Sequence, residues 1–159
     1  MKLLTTIVIL FLAIPSFAST YLNWGMAFDY PWPEEYSDVQ NYAIGHHGIL
    51  SKKFDYIIEG GGWKDSSHYP GAEASLYGAA AIGIDLKLHE RYVSYYVGPS
   101  VISKRDVVLG SNFEVYQKVS IGWRDERDER IGFFVKHFSD GGLSKVNYGR
   151  NFVGAEVSF

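Results

Sequence analysis

Near the end of the chain, a histidine and a serine stand two residues apart, at His137 and Ser139. Side chains two apart on a β-strand project from the same face of the sheet. An imidazole beside a hydroxyl can take its proton as the oxygen attacks an ester carbonyl, and can return that proton to the leaving alcohol. Backbone N–H groups around Gly141 and Gly142, which carry no side chains, can stabilise the resulting oxyanion. These residues indicate ester hydrolysis, or else a strand-end histidine followed by an ordinary Ser-Asp-Gly-Gly turn.

Eight segments with strand composition are separated by turn residues, and no stretch shows sustained helical periodicity. A tilted strand of about ten residues crosses a bilayer, and about eight strands make the smallest closed barrel. The sequence therefore predicts an all-β protein, an eight-stranded antiparallel transmembrane β-barrel. The predicted strands are Tyr21–Tyr30, Asn41–Leu50, Phe54–Trp63, Ala72–Leu88, Tyr92–Ser103, Phe113–Arg124, Arg130–Ser139 and Asn151–Phe159.

Apolar and polar residues alternate along these strands. In the seventh, Ile131, Phe133 and Val135 share one face. A membrane barrel turns its apolar face to lipid, whereas a soluble lipocalin-like barrel encloses a ligand with it. Alternation alone leaves both orientations open. His137 and Ser139 fall on the apolar face, where a polar pair suits a hydrolase whose substrate is itself a lipid.

The two ends of the chain favour the membrane. Residues 1–18 combine a positive start, an apolar core and small residues before a cleavage point, which is typical of a secretory signal peptide. Its removal leaves residues 19–159 as one barrel domain. The last predicted strand is amphipathic and ends on Phe159, which resembles the signal read by the outer-membrane assembly machinery. We therefore expect the cell outer membrane as the location and that machinery as a partner.

Composition argues against several other classes. The chain has no cysteine, which excludes disulfides and thiolate metal sites. A net charge of -3 gives no electrostatic reason to expect nucleic acid. His46 and His47 would face opposite sides of a strand and cannot chelate a metal together. We expect neither a metal nor a nucleic-acid partner.

A segment near the C-terminus resembles the PagL family of outer-membrane lipid A 3-O-deacylases, in which His-aromatic-Ser-Asn-small-Gly precedes Asn-x-Gly. The matching residues are His137-Phe138-Ser139-Asp140-Gly141-Gly142-Leu143 and Asn147-Tyr148-Gly149. A fainter likeness extends upstream, through Gly98 to Ser103 and Leu109 to Trp123. Members of the family are eight-stranded barrels and serine esterases that use no cofactor. The resemblance implies Ser139 as nucleophile, His137 as base and lipopolysaccharide as substrate. It also implies that the oxyanion site is shaped by Asp140, Gly141, Gly142 and Asn147.

Two positions depart from the family pattern. The acid that orients the family's histidine is a Glu twelve residues after the serine, and Asn151 stands there. An amide can orient an imidazole, but it gives the imidazolium no charge stabilisation. Asp140 replaces the family's Asn, and a carboxylate there opposes an oxyanion unless it is protonated or turned away. Glu156 cannot readily replace the acid, because its parity places it on the lumen side.

Three functional hypotheses follow from the sequence. The chain is a lipid A or related lipid deacylase, with Asn151 as an imperfect third member of the triad. Alternatively, it is a weakened or inactive barrel of the same family, with a structural or lipid-binding role. The third hypothesis is a soluble barrel that binds a small apolar ligand.

Overall fold

The computed structural model describes residues 19–28, 39–64, 74–105, 109–143 and 149–159. Within these ranges, eight antiparallel strands form one closed barrel in chain order, with the last strand hydrogen-bonded to the first. The strands are β1 (Ser19–Ala27), β2 (Gln40–Ile49), β3 (Asp55–Trp63), β4 (Ser75–Leu88), β5 (Arg91–Ile102), β6 (Phe113–Arg124), β7 (Arg130–Ser139) and β8 (Arg150–Ser158). The predicted fold class is confirmed, and β6 and β7 have the predicted bounds. The signal peptide predicted at residues 1–18 lies outside the described residues.

The barrel turns its apolar side chains outward. Phe133 of β7 is 60% exposed, whereas Phe134, the next residue, is 1% exposed. The same period of two runs along the other strands, because successive side chains leave opposite faces of a strand. A large apolar exterior around a mixed lumen is the arrangement of a membrane barrel. A cavity of about 30 Å³ in the lumen is lined mainly by polar side chains, among them His47, Arg130 and Glu156. Among the described residues, no helix is long and apolar enough to cross a bilayer.

Short turns connect the strands at the end of the barrel that carries Ser19 and Phe159, which we call the terminal end. There Thr20 and Phe159 exchange two backbone hydrogen bonds of 3.1 and 2.9 Å. The connections at the opposite end, which we call the loop end, are longer, as the strand bounds show. His137 and Ser139 lie at the loop end, because β7 runs from the terminal end towards it.

The lumen near the loop end is filled by an aromatic cluster. Phe138 is fully buried at its centre, with ring centroids 4.9 Å from Tyr77 and 5.5 Å from Trp63. Tyr116 and Phe152 complete the cluster, from β6 and β8. Because each large ring fills the space between its neighbours, the inward residues of β7 and β8 are fixed by packing. The outward residues between them are held in place by the same contacts.

The charged run from Arg124 to Arg130 forms the turn between β6 and β7. Asp125 closes it by accepting hydrogen bonds from the backbone N–H groups of Arg127 and Glu129. Partial burial pushes the pKa of Asp128 upward, but hydrogen bonds from Arg130, Lys87 and Arg124 outweigh it, so this pKa lies well below its usual range. The run is therefore an internally paired turn.

Candidate active site

His137 and Ser139 project from the outer face of the barrel and are both half-buried. Phe138 lies between them in sequence and points into the aromatic cluster. Since side chains alternate along a strand, anchoring Phe138 inward fixes His137 and Ser139 outward. The structure thus places both groups on the lipid-facing side, which is the geometry that the sequence predicts.

Asn151 lies directly across from His137 in the pairing of β7 with β8. Its Oδ1 is 2.8 Å from Nδ1 of His137. An amide oxygen can only accept, so Nδ1 carries the proton in this hydrogen bond. The second ring nitrogen, Nε2, is then unprotonated and can act as a base. Asn151 therefore holds the histidine in the tautomer that a serine hydrolase needs.

The described residues show no hydrogen bond between His137 and Ser139. Two residues along a strand span about 6.6 Å, a distance that an imidazole and a hydroxyl can bridge by side-chain rotation. Catalytic hydrogen bonds are often long before substrate binds and tighten afterwards. The two side chains therefore share one face of β7, and a hydrogen bond between them requires side-chain rotation.

Gly149 precedes β8 and touches the His137 ring. Its φ is +74°, and a Cβ atom added there would lie 2.6 Å from Cε1 of His137. Only glycine adopts this backbone conformation without strain and also leaves room for the imidazole. The sequence shows Gly149 only as part of a motif; its contact with His137 depends on the path of the chain into β8.

Asp140 points away from the outer face. It is 1% exposed, and its Oδ1 accepts a hydrogen bond of 2.8 Å from the backbone N–H of Gly142. The carboxylate therefore shapes the turn after β7 instead of facing Ser139. Gly141 and Gly142 both have positive φ, of 65° and 88°. Asn147, the remaining residue predicted for the oxyanion site, lies outside the described residues.

Gln117 is a neighbour of the site that sequence reasoning did not single out as functional. It lies directly across from His137 on β6, also on the outer face. The hydroxyl of Tyr95 donates to its Oε1 at 3.3 Å. Tyr95, Gln117, His137 and Asn151 thus form a polar row across four neighbouring strands. The sequence does contain a signal for this residue, because Gln117 is a polar residue on the otherwise apolar face of β6.

Glu156 does not reach His137. It faces the lumen, where one of its carboxylate oxygens is 2.7 Å from Nζ of Lys118 and the other accepts a hydrogen bond from Tyr92. Its parity in the sequence predicts this orientation. Asn151 therefore remains the residue that orients the histidine.

Comparisons with known proteins identify the family and the fold of the chain. The family model described as lipid A 3-O-deacylase (PagL) matches residues 20–159. A crystal structure of the outer membrane enzyme PagL superposes with a TM-score of 0.69 at 14% identity, covering 89% of this chain and 98% of that one. The outer membrane protein Ail of Yersinia pestis, determined in a phospholipid bilayer nanodisc, gives 0.51 at 11% identity, with 89% and 99% covered. No curated sequence matches.

The two structural likenesses establish the fold, while the family model reaches from β1 to the last residue of the chain. That span includes His137, Ser139 and Asn151. The resemblance seen in the sequence is thereby confirmed, and the chain belongs to the PagL family of lipid A 3-O-deacylases.

Proposed function

We propose that the protein hydrolyses an acyl ester of lipid A, with Ser139 as nucleophile, His137 as general base and Asn151 as the residue that orients His137. One observation carries the proposal. On the outer face of the barrel, His137 is hydrogen-bonded to Asn151 at 2.8 Å and shares its face with Ser139. A polar group that faces lipid is costly in free energy unless it lies near the interface or has partners. A functional role therefore explains these polar residues on the apolar face better than chance does.

The position of the site suits a lipid substrate. Family and fold point to an outer-membrane protein. Barrels of this kind have short periplasmic turns and longer external loops, so the loop end faces outward. His137 and Ser139 then lie at the level of the outer leaflet. A lipid A molecule in that leaflet can reach them sideways, without leaving the membrane.

The reaction proceeds in two halves. Ser139 Oγ attacks the ester carbonyl while Nε2 of His137 takes its proton, and the protonated histidine then gives that proton to the departing sugar hydroxyl. Water next attacks the acyl-serine, with His137 again accepting and returning a proton, and the free fatty acid leaves. Gly141 and Gly142 are the candidates for oxyanion donors, although the Gly142 N–H already binds Asp140.

A second reading is a weakened or inactive member of the family with a structural or lipid-binding role. Asn151 favours it, because an amide fixes the tautomer of His137 but does not balance the positive charge that develops on the ring. The turned-away Asp140 carboxylate does not by itself argue against activity.

Mass spectrometry of lipid A tests the first reading against the second. Cells that express the protein should show loss of one ester-linked acyl chain, and the mass difference identifies the chain. Ser139→Ala and His137→Ala should each abolish this loss, since nucleophile and base act as a unit.

Matched controls separate catalysis from folding. His46→Ala removes a half-buried outward histidine from the terminal end, and Ser94→Ala removes a buried lumen serine from β5. Both controls should leave deacylation intact. An unchanged lipid A profile in cells that hold folded wild-type barrel in the outer membrane would favour the inactive reading.

A further inference from the structure

Three ligand-type side chains meet in the lumen at the terminal end, far from the candidate active site. They are His47 near the end of β2, Asp55 at the start of β3 and Asp85 near the end of β4. One donor atom from each lies within 4.8 Å of the other two. The Nε2 atom of His47 is 3.7 Å from Oδ2 of Asp55 and 3.9 Å from Oδ2 of Asp85. These distances are too long for hydrogen bonds.

Two buried polar atoms in this cluster have no hydrogen-bond partner among the described residues. They are Nε2 of His47 and Oδ1 of Asp85. The Asp85 side chain is fully buried, and that of His47 is 11% exposed. A buried polar atom without a partner loses its hydration and gains nothing in return. The Asp85 carboxylate lies 3.9 Å from Nε2 of His47 through its Oδ2 atom, so a cation bound between the two side chains would give both residues a partner.

We propose that His47, Asp55 and Asp85 bind one divalent transition-metal ion, of the zinc type, at the terminal end of the lumen. Zinc takes one imidazole nitrogen and carboxylate oxygens at about 2.0–2.2 Å, which places tetrahedral ligand atoms roughly 3.4 Å apart. The distances of 3.7 and 3.9 Å from His47 need a contraction of a few tenths of an ångström. The two aspartates are bounded only by the 4.8 Å that encloses all three ligand atoms, so their carboxylates must rotate towards the ion. The imidazole favours zinc, nickel or copper over magnesium or calcium.

The charges around the cluster support a divalent ion. Asp55 and Asp85 supply two negative charges. Arg130 donates to Oδ2 of Asp85 at 2.6 Å, but it also donates to Asp128 at 2.9 Å and so shares its charge with that carboxylate. A carboxylate that binds a metal is commonly held by such a hydrogen bond on its other oxygen. Oδ1 has no hydrogen-bond partner, and binding through it requires a rotation of the Asp85 carboxylate, because the 3.9 Å distance to His47 is measured to Oδ2.

A cavity of about 30 Å³ adjoins His47, on the side of the ring that faces Ser94, Tyr96 and Arg130; Asp55 and Asp85 do not line it. This space is large enough to hold a water molecule. A water held there can supply the fourth ligand that three protein ligands leave open. The site therefore joins β2, β3 and β4 at the end of the barrel where their turns are short.

Calorimetric titration with Zn²⁺ alone tests the proposal, using the mature barrel without a histidine tag, refolded in detergent micelles. We expect one ion per chain and a rise in the thermal unfolding midpoint on addition of Zn²⁺, because the ion binds the folded barrel. His47→Gln, Asp55→Asn and Asp85→Asn should each weaken binding by more than about tenfold, since each removes one of three ligands.

His46→Gln is the matched control, because His46 is adjacent but faces outward and bonds Thr20. It should bind Zn²⁺ like the wild type. If the variants at the more buried His47 and Asp85 do not fold, Asp55→Asn tests whether the site binds Zn²⁺. The proposal is overturned if the folded wild type shows no one-to-one binding, or if binding survives in folded Asp55→Asn or His47→Gln. Neither result bears on ester hydrolysis at the loop end.

Discussion

At the scale of single residues, Asn151 determines the tautomer of His137. Its Oδ1 holds the ring in one tautomer through a hydrogen bond of 2.8 Å. A carboxylate in the same place would hold the ring equally well and would also stabilise the imidazolium that forms during the reaction. Glu at this position would therefore differ from Asn in charge, and it would also be one methylene longer.

Asn151→Glu should raise the rate of acyl release from lipid A by about 10- to 100-fold. This gain corresponds to about 1.4–2.8 kcal/mol of transition-state stabilisation by the added negative charge, at about 1.4 kcal/mol for each tenfold in rate. Larger losses recorded for neutral replacements in serine hydrolases include a wrong tautomer, which Asn151 avoids. The measurement is the initial rate of fatty-acid release with purified barrel and lipid A in micelles.

Asn151→Gln is the control for side-chain length, because Gln matches Glu in size and lacks its charge. It should give no gain in rate. Equal rates for Asn151→Glu and Asn151→Gln would contradict a charge effect. A higher rate in both variants would instead assign the effect to the longer side chain.

At the scale of strands, alternation predicts most of the fold. β6 and β7 could be bounded from the sequence because the alternation of inward and outward residues continues to the turn residues on either side. The same alternation predicts that His137 and Ser139 face outward and Glu156 inward. The partner of His137 could not be derived from residue types alone, because it depends on how the β7–β8 connection sets the register.

The alternation of residues along a strand does not predict how Asp140 is oriented or which residues surround His47. Asp140 is the first residue after β7, where the period of two no longer applies, and only the turn decides that it faces inward. Likewise, the meeting of His47, Asp55 and Asp85 requires the registers of three strands at once. Sequence spacing rules out joint chelation by His46 and His47, but it does not reveal these two partners from other strands.

Gly149, at the entry to β8, gives the element-scale prediction. Gly149→Ala combines a positive φ, which costs about 1–2 kcal/mol for other residues, with a Cβ atom 2.6 Å from the His137 ring. We expect a folded barrel of reduced stability in which deacylation falls by more than about tenfold, because a displaced ring cannot serve Ser139. Lipid A mass spectrometry and the thermal unfolding midpoint give the two readouts.

Gly78→Ala is a suitable comparison. It adds the same methyl group on the outer face of β4, where nothing lies within 4 Å of the new atom. Its activity and stability should stay close to those of the wild type. Full activity in a folded Gly149→Ala barrel would mean that Gly149 does not position His137.

At the scale of the whole molecule, the lumen has three regions along the barrel. The aromatic cluster lies near the loop end, and the proposed metal site lies at the terminal end. Between them, Glu59 is completely enclosed, with Nζ of Lys136 at 2.6 Å and Nζ of Lys118 at 3.5 Å. It also accepts hydrogen bonds from Tyr21 and Tyr77. Lys136 is the residue just before His137, so this network and the aromatic cluster together support the strand that carries the site.

Glu59→Gln should destabilise the barrel by about 3 kcal/mol, because Lys136 would remain buried without its nearest negative charge. Adding Lys136→Met should recover part of that loss, since a buried pair can be replaced by apolar groups at little cost. Glu90→Gln, in the exposed β4–β5 turn, controls for the loss of one negative charge. The measurement is the free energy of unfolding in denaturant, in lipid vesicles. If Glu59→Gln stays within about 0.5 kcal/mol of the wild type, the Glu59–Lys136 pair does not stabilise the barrel, and β7 is held by its pairing with β6 and β8 and by the aromatic packing of Phe138.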